Sequence, residues 1–162
     1  MIFARVAALE WFGTARTVLA YSAFGSEPGT DPFLRAVLAK AKTLVLPKVN
    51  RARHALDFFR VVAPETELEP GVFGIREPVP SRCAPASLDP IDFVLVPGVV
   101  FDARGGRIGH GAGYYDRLLA RCGPGTRLVA AAFEVQVVDE VPMEPHDRRV
   151  DLVVTELRAY PA

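Results

Sequence analysis

A chain of 162 residues, half of them apolar and 23% charged, is long enough for one globular domain with its own core. Its 19 basic residues are balanced by 19 acidic residues, so the formal net charge is zero. This balance argues against nucleic acid or an anionic membrane surface as a partner, because both select a clustered basic surface. We therefore predict a single domain over residues 1–162 that acts on small molecules, and we expect a monomer.

The N-terminal stretch is predicted to be a short helix that ends near Phe12. Its apolar residues occupy helix-compatible positions, and Glu10 interrupts them. The stretch is too short for a membrane span and lacks the order of charged, apolar and small residues found in a signal peptide. Cys83 and Cys122 form no C-x-x-C pair, which favours reduced, inert thiols over a disulfide. We accordingly predict a cytoplasmic protein.

The following thirty residues predict a strand, a helix and a second strand. Residues 17–23 form a continuous apolar run, typical of a strand that is covered on both faces. Thr30 or Asp31 can cap the helix that follows. The apolar face of this helix consists of Phe33, Val37, Leu38 and Ala41. Residues 43–46 predict the second strand, which Pro47 should end. Such a unit favours parallel strands joined by a right-handed crossover.

The rest of the chain predicts further strands and one clear helix. The strands are expected at residues 56–62, 92–96, 127–133 and 151–155. Residues 64–90 are rich in proline and carry little periodic pattern, so we predict a long surface connection there. A helix begins near Tyr114, and its apolar face consists of Tyr115, Leu118, Leu119 and Cys122. Together these elements predict a doubly wound α/β domain with a mostly parallel sheet between helices.

A glycine-rich loop lies between the strand at 92–96 and the helix at Tyr114. Gly109, Gly111 and Gly113 alternate with other residues, so that successive backbone N–H groups can point into one concavity. The start of the helix adds a partial positive charge, and Arg107 can form forked contacts to phosphate oxygens. Open α/β sheets bind ligands at the carboxyl ends of their strands, where this loop is predicted to lie.

The loop matches neither standard nucleotide-binding motif. No Lys-Ser or Lys-Thr pair follows the last glycine, and the spacing G-x-G-x-G differs from G-x-G-x-x-G. The glycine spacing by itself therefore leaves a purely structural turn as an alternative.

A longer string resembles a known enzyme family. Residues 92–119 read D-F-V-L-V-P-G-x-x-F-D-x-x-G-x-R-I-G-x-G-x-G-Y-Y-D-R-x-L, which resembles the signature of 5-formyltetrahydrofolate cyclo-ligase, also called methenyltetrahydrofolate synthetase. Glu27 and Thr30 resemble the family's Glu-x-x-Thr, residues 74–78 its G-I-x-E-P element, and residues 146–151 its closing aspartate motif. The resemblance runs from Thr17 to Glu156 and implies a three-layer α/β/α fold.

The resemblance also implies ligands and the residues that bind them. The residues implied for ATP are Arg107, Ile108, Gly109, His110, Gly111, Ala112, Gly113, Tyr114 and Tyr115. Those implied for the folate substrate are Ser22, Glu27, Phe73, His110, Gly111, Ala112, Gly113 and Tyr114. Asp116 and Asp147 are implied as ligands of Mg²⁺, which favours one or two carboxylates together with phosphate oxygens.

Each of these side chains also has a simpler structural explanation. Asp116 can complement the start of a helix, and Asp151 is close enough in sequence to replace Asp147 as a metal ligand. Glu27 can be a solvated turn residue, and Phe73 a core residue. The position of His110 resembles a permissive one in the family, so the sequence assigns it no role in proton transfer. His54 and His146 are expected at the surface.

The implied reaction requires no protein nucleophile. ATP would phosphorylate the formyl oxygen of 5-formyltetrahydrofolate, the second nitrogen of the folate would attack the formyl carbon, and phosphate would leave to give 5,10-methenyltetrahydrofolate. Such a site works by positioning its substrates and neutralising their charge.

The N-terminal region departs from the family pattern. Members of the family that this sequence resembles begin with a longer N-terminal helix, in which a Lys and an Arg hold the triphosphate. In this sequence, only Arg5 and Arg16 precede the first strand. This departure predicts a truncated N-terminal helix. It also keeps open a weakly active or non-catalytic protein that binds folate or nucleotide. A more distant alternative is an isomerase or acyl-CoA transferase of similar layered architecture.

Overall fold

The computed structural model describes residues 1–89, 91–145 and 147–162, with the side chain of Phe73 left out. The helices are α1 (Ile2–Ala7), α2 (Glu10–Thr14), α3 (Asp31–Ala39), α4 (Pro64–Glu67) and α5 (Tyr114–Leu119), with 3-10 turns at Val72–Gly74 and Glu134–Gln136. The strands are β1 (Thr17–Leu19), β2 (Thr43–Asn50), β3 (Ala55–Val61), β4 (Leu68–Pro70), β5 (Arg76–Pro78), β6 (Ala84–Ala86), β7 (Phe93–Val96), β8 (Val100–Asp102), β9 (Arg107–Ile108), β10 (Arg127–Ala131), β11 (Val137–Val138), β12 (Leu152–Val154) and β13 (Ala159–Pro161).

Eight strands form the central sheet, in the order β13-β12-β10-β7-β1-β2-β3-β6. The five strands from β12 to β2 run parallel, and the remaining strands at the two edges are antiparallel. The prediction of a mostly parallel sheet is therefore confirmed, as is the parallel pairing of the strands on either side of α3.

Apolar side chains alternate between the two faces of the sheet and build a core on each. Val18 and Phe93 belong to one core, whereas their chain neighbours Leu19 and Val94 belong to the other. The first core is covered by α1, α2 and α3, where the Phe12 and Phe33 rings lie 5.2 Å apart between centroids. The second is covered by α5 and β8. Helices thus lie on both faces of the sheet, which confirms the three-layer α/β/α architecture.

Several predicted boundaries were wrong near the N-terminus. The predicted first helix is two helices, because Leu9 adopts extended backbone angles between them. The strand predicted at 17–23 ends at Leu19, after which the chain turns away from the sheet to border a cleft. β2 continues through Pro47 to Asn50. Proline is tolerated there because β1 pairs only with residues 43–45 and leaves that side of β2 unpaired.

Residues 64–89 are more ordered than the sequence predicted. They contain α4, β4, β5 and β6, and β4 pairs with β5 as a short antiparallel ribbon. Farther along, α5 ends at Leu119 and does not reach Cys122, because Gly123-Pro124-Gly125 follow closely. No helix in the described part of the chain has the length and hydropathy needed to cross a bilayer.

Candidate functional site

A cleft of about 360 Å³ opens at the carboxyl ends of the central parallel strands. Residues that follow β1 (Tyr21, Ser22) and β7 (Pro97) line it, together with the second half of β2. The opposite wall is formed by the glycine loop, from Arg107 to Asp116. The predicted position of the loop at the strand ends is therefore observed, at the edge where open α/β sheets place their ligand sites.

The glycine loop begins from a β8–β9 hairpin and ends at α5. Gly111 and Gly113 have φ angles of +84° and +67°, which favour glycine at both positions. Gly113 stands immediately before α5. The start of α5 therefore borders the cleft, since Tyr114, Tyr115 and Asp116 are among the lining residues.

Arg107 lies inside the cleft wall with only 4% of its side chain exposed. Its Nη1 donates to the carbonyl oxygen of Pro97 at 3.2 Å, and its Nη2 contacts the carboxylate of Asp116. The Asp116 side chain is 52% exposed. These contacts fix a guanidinium and an open carboxylate side by side at the mouth of the loop.

Glu27 and His110 meet across the cleft. The Glu27 side chain is 8% exposed, and its Oε2 accepts a hydrogen bond from the backbone N–H of Phe24 at 2.8 Å. Its Oε1 lies 3.3 Å from Nε2 of His110, whose side chain is 55% exposed. Glu27 and His110 are thus in contact although they are 83 positions apart, and no feature of the sequence predicted this contact.

Buried hydroxyl groups form the floor of the cleft. The Oγ of Ser22 and the phenol oxygen of Tyr115 are shielded from solvent, and neither has a hydrogen-bond partner within the described part of the chain. Burial, followed by the nearby Glu27 carboxylate, raises the pKa of Tyr115 and of Tyr21, so both phenols remain protonated at neutral pH. Buried polar groups are normally satisfied, so these two hydroxyls indicate a polar ligand or water.

Glu77 lies in the cleft wall, although it was not among the site residues predicted from the sequence. Its carboxylate is 5% exposed, accepts from the backbone N–H of Val49 at 3.2 Å, and lies 3.2 Å from the Lys48 ammonium group. These contacts attach β5 to β2 and hold Ile75 against the cleft. The available signal was the acidic residue of the G-I-x-E-P element, which follows the apolar Ile75 by two positions.

The other predicted site residues are placed as follows. Gly109, Ala112 and Tyr114 line the cleft, whereas Ile108 lies in β9 and is not among the lining residues. Asp147 is also not among them, and its Oδ2 accepts from the backbone N–H of Glu144 at 2.8 Å. The side chain of Phe73 and residue His146 lie outside the described part of the structure.

The described residues do not form a metal site by themselves. Within residues 1–89, 91–145 and 147–162, no three His, Cys, Asp or Glu side chains cluster closely enough to hold an ion. Mg²⁺ nevertheless needs only one or two carboxylates when phosphate oxygens complete its shell. The exposed Asp116 carboxylate beside a phosphate-compatible loop fits that requirement.

Comparisons with known proteins agree with this architecture. Residues 1–156 match the model of the 5-formyltetrahydrofolate cyclo-ligase family. The 5-formyltetrahydrofolate cyclo-ligase of Mycolicibacterium smegmatis is 33% identical over 92% of this chain and 78% of that protein. The 5,10-methenyltetrahydrofolate synthetase of Aquifex aeolicus superposes with a TM-score of 0.84 at 34% identity, over 99% of this chain and 78% of that one. The Mycoplasma pneumoniae synthetase, 22% identical with a TM-score of 0.72, supports the fold. This chain belongs to the 5-formyltetrahydrofolate cyclo-ligase family of enzymes.

Proposed function

We propose that this protein cyclises 5-formyltetrahydrofolate to 5,10-methenyltetrahydrofolate, using ATP and Mg²⁺ and releasing ADP and phosphate. The observation that carries the proposal is the cleft at the strand ends, where the family's glycine loop, which begins at the buried Arg107, faces the Glu27 carboxylate. On one side of the cleft, the Glu27 carboxylate and the buried hydroxyl groups can form hydrogen bonds with a folate ring. On the other side, the Arg107 guanidinium can bind phosphate oxygens.

The ATP phosphates would lie against the glycine loop. Residues 107–115 are proposed to hold them, with the Arg107 guanidinium turned from Asp116 toward phosphate oxygens. The folate would occupy the side lined by Ser22 and Glu27, where the Ser22 hydroxyl still has hydrogen-bonding capacity. Residues 110–114 border both volumes and are proposed to contact both substrates, and Phe73 remains a proposed folate contact.

The cleft provides positioning and not a covalent nucleophile. Neither cysteine is among the lining residues, and burial raises the pKa of both the Cys83 and the Cys122 thiol. Holding the formyl oxygen near the terminal phosphate, in surroundings that neutralise charge, lowers the barrier without an enzyme-bound intermediate.

The equal numbers of acidic and basic residues support small molecules as the partners of this protein. We propose that it acts as a monomer in the cytoplasm.

Mg²⁺ would be held by Asp116 and Asp147 together with phosphate oxygens, and when bound it would neutralise charge on the transferred phosphoryl group. The chain's own contribution is the half-exposed Asp116 carboxylate at the cleft mouth, which is released to the ion when Arg107 turns toward phosphate.

The reaction itself is the first test. Mixing the protein with 5-formyltetrahydrofolate, ATP and Mg²⁺ should raise the absorbance of the methenyl product, and omitting ATP or adding a chelator should abolish the rise. ADP release measured in parallel should match the product one for one. Folate and ATP binding without any product would instead support the non-catalytic alternative.

The metal assignment predicts a specific effect of two substitutions. Asp116→Asn and Asp147→Asn should each raise the Mg²⁺ concentration needed for half-maximal rate about tenfold or more, because each removes a charged ligand. The thermal midpoint of Asp116→Asn should change little, because the amide oxygen of asparagine can still accept the hydrogen bond from Arg107. Asp139→Asn, which alters an exposed carboxylate away from the cleft, is the matched control. If either variant needs no more Mg²⁺ than the wild type, the aspartate that it replaces does not bind the ion and has a structural role.

A further inference from the structure

The contact between His110 and Glu27 lies where the two proposed substrates would meet. His110 is part of the glycine loop and lines the cleft, and Glu27 is held in place by the backbone N–H of Phe24. The Phe24 ring also meets the imidazole edge to face, with 6.3 Å between the centroids. An imidazole whose Nε2–H donates to a carboxylate carries its lone pair at Nδ1. The contact is compatible with the tautomer that donates from Nε2 to Glu27 and leaves Nδ1 as the proton acceptor.

The proposed reaction has a proton to move. When the second folate nitrogen attacks the activated formyl carbon, a nitrogen–carbon bond forms and the nitrogen becomes positively charged. The nitrogen–hydrogen bond must then break, and the carbon–oxygen bond to the phosphoryl group breaks with its electron pair leaving on phosphate. One proton is released at the nitrogen, and the departing phosphate can accept one. A single base that faces both groups can serve both steps.

We propose that His110 is this proton-transfer residue, accepting the proton from the attacking nitrogen at Nδ1 and returning it to the departing phosphate, with Glu27 holding the ring. The proposal rests on the proposed function and goes against the sequence-based expectation that His110 takes no part in proton transfer. The two oxygens of Glu27 together offer about four lone-pair sites, so one carboxylate can orient His110 and still contact the folate.

The other ionisable groups of the cleft are less suited to this role. Arg76 and Arg107 are permanently charged cations, and the Tyr21 and Tyr115 phenols stay protonated because burial raises the pKa of each. The remaining groups already have partners. Glu77 is paired with Lys48, and Asp116 with Arg107.

The test is the kinetics of His110→Gln, which can still donate a hydrogen bond to Glu27 but cannot accept the proton. We expect kcat to fall by roughly 10²–10⁴-fold while the folate dissociation constant stays within about threefold. In rapid-quench experiments, one equivalent of ADP should form ahead of the methenyl product, because phosphoryl transfer continues and cyclisation is delayed. Imidazole added to His110→Ala should restore part of the rate.

A second histidine provides the control. His54→Gln, which alters an exposed histidine outside the cleft, is the matched control and should keep the wild-type kcat and the wild-type order of ADP and methenyl formation.

A wild-type kcat in His110→Gln, or equal loss of ADP and methenyl formation without imidazole rescue, would overturn the proposal. A wild-type protein that forms no product would instead refute the proposed function.

Discussion

Replacing Arg107 by alanine is expected to raise the KM for ATP by roughly 10²–10⁴-fold, because two charge-assisted hydrogen bonds of about 1.5–3 kcal/mol each are lost. The side chain is almost fully buried in the cleft wall, where water cannot replace the lost contacts. Arg107→Lys should recover only part of the affinity, since an ammonium group provides a charge but not a planar fork. Steady-state kinetics with varied ATP measures both variants.

Arg104→Ala is the control for the loss of a positive charge from the same hairpin. Arg104 is exposed and paired with Glu140 at 2.8 Å on the outer surface, so its removal should leave the KM for ATP unchanged. The KM for folate should change much less than that for ATP in Arg107→Ala. An unaltered KM for ATP in this variant would show that the triphosphate lies elsewhere.

The fold was predictable from the sequence wherever burial dictated it. Residues 93–96 and 128–131 are apolar on both faces because strands in the middle of a layered sheet have no solvent side. The position of the glycine loop followed from the strand before it and the helix after it. Arg107 could be identified from the loop pattern and the family resemblance together.

The parts that escaped prediction depend on contacts between distant segments. The ribbon of β4 and β5 is held to β2 by Glu77, and no local pattern in residues 64–90 reveals such an attachment. The Glu27–His110 contact joins segments 83 positions apart, and the Arg107–Asp116 contact depends on how the loop closes. Short-range periodicity carries no information about pairings of this kind.

Asp102 provides the largest expected effect on stability, although it does not line the cleft. Its fully buried carboxylate accepts hydrogen bonds from the backbone N–H groups of Arg104, Gly106 and Val141, at 2.8, 2.8 and 2.9 Å. These bonds close the β8–β9 hairpin that leads into Arg107. No local pattern in the sequence reveals that this carboxylate organises the turn between β8 and β9.

Asp102→Ala should reduce the free energy of unfolding by about 2–5 kcal/mol, because it leaves buried N–H groups without an acceptor. Asp102→Asn should cost less, about 1–3 kcal/mol, since its single amide oxygen can still serve Arg104 and Gly106 but its amide group opposes the Val141 N–H. Denaturant unfolding compares both with Asp139→Asn, which alters an exposed carboxylate and should leave the midpoint unchanged.

The same carboxylate predicts how stability depends on pH. Burial opposes ionisation of Asp102, but the three backbone donors and the nearby Arg149 outweigh it and lower the pKa in the folded state. A lowered pKa stabilises the fold above the ordinary aspartate value of about 3.9, and this stabilisation is lost as pH falls through the folded-state pKa. The difference in unfolding free energy between wild type and Asp102→Asn should therefore be constant near neutral pH and shrink below about pH 4. A difference that stays constant down to pH 2 would show that the hairpin does not depend on the ionised carboxylate.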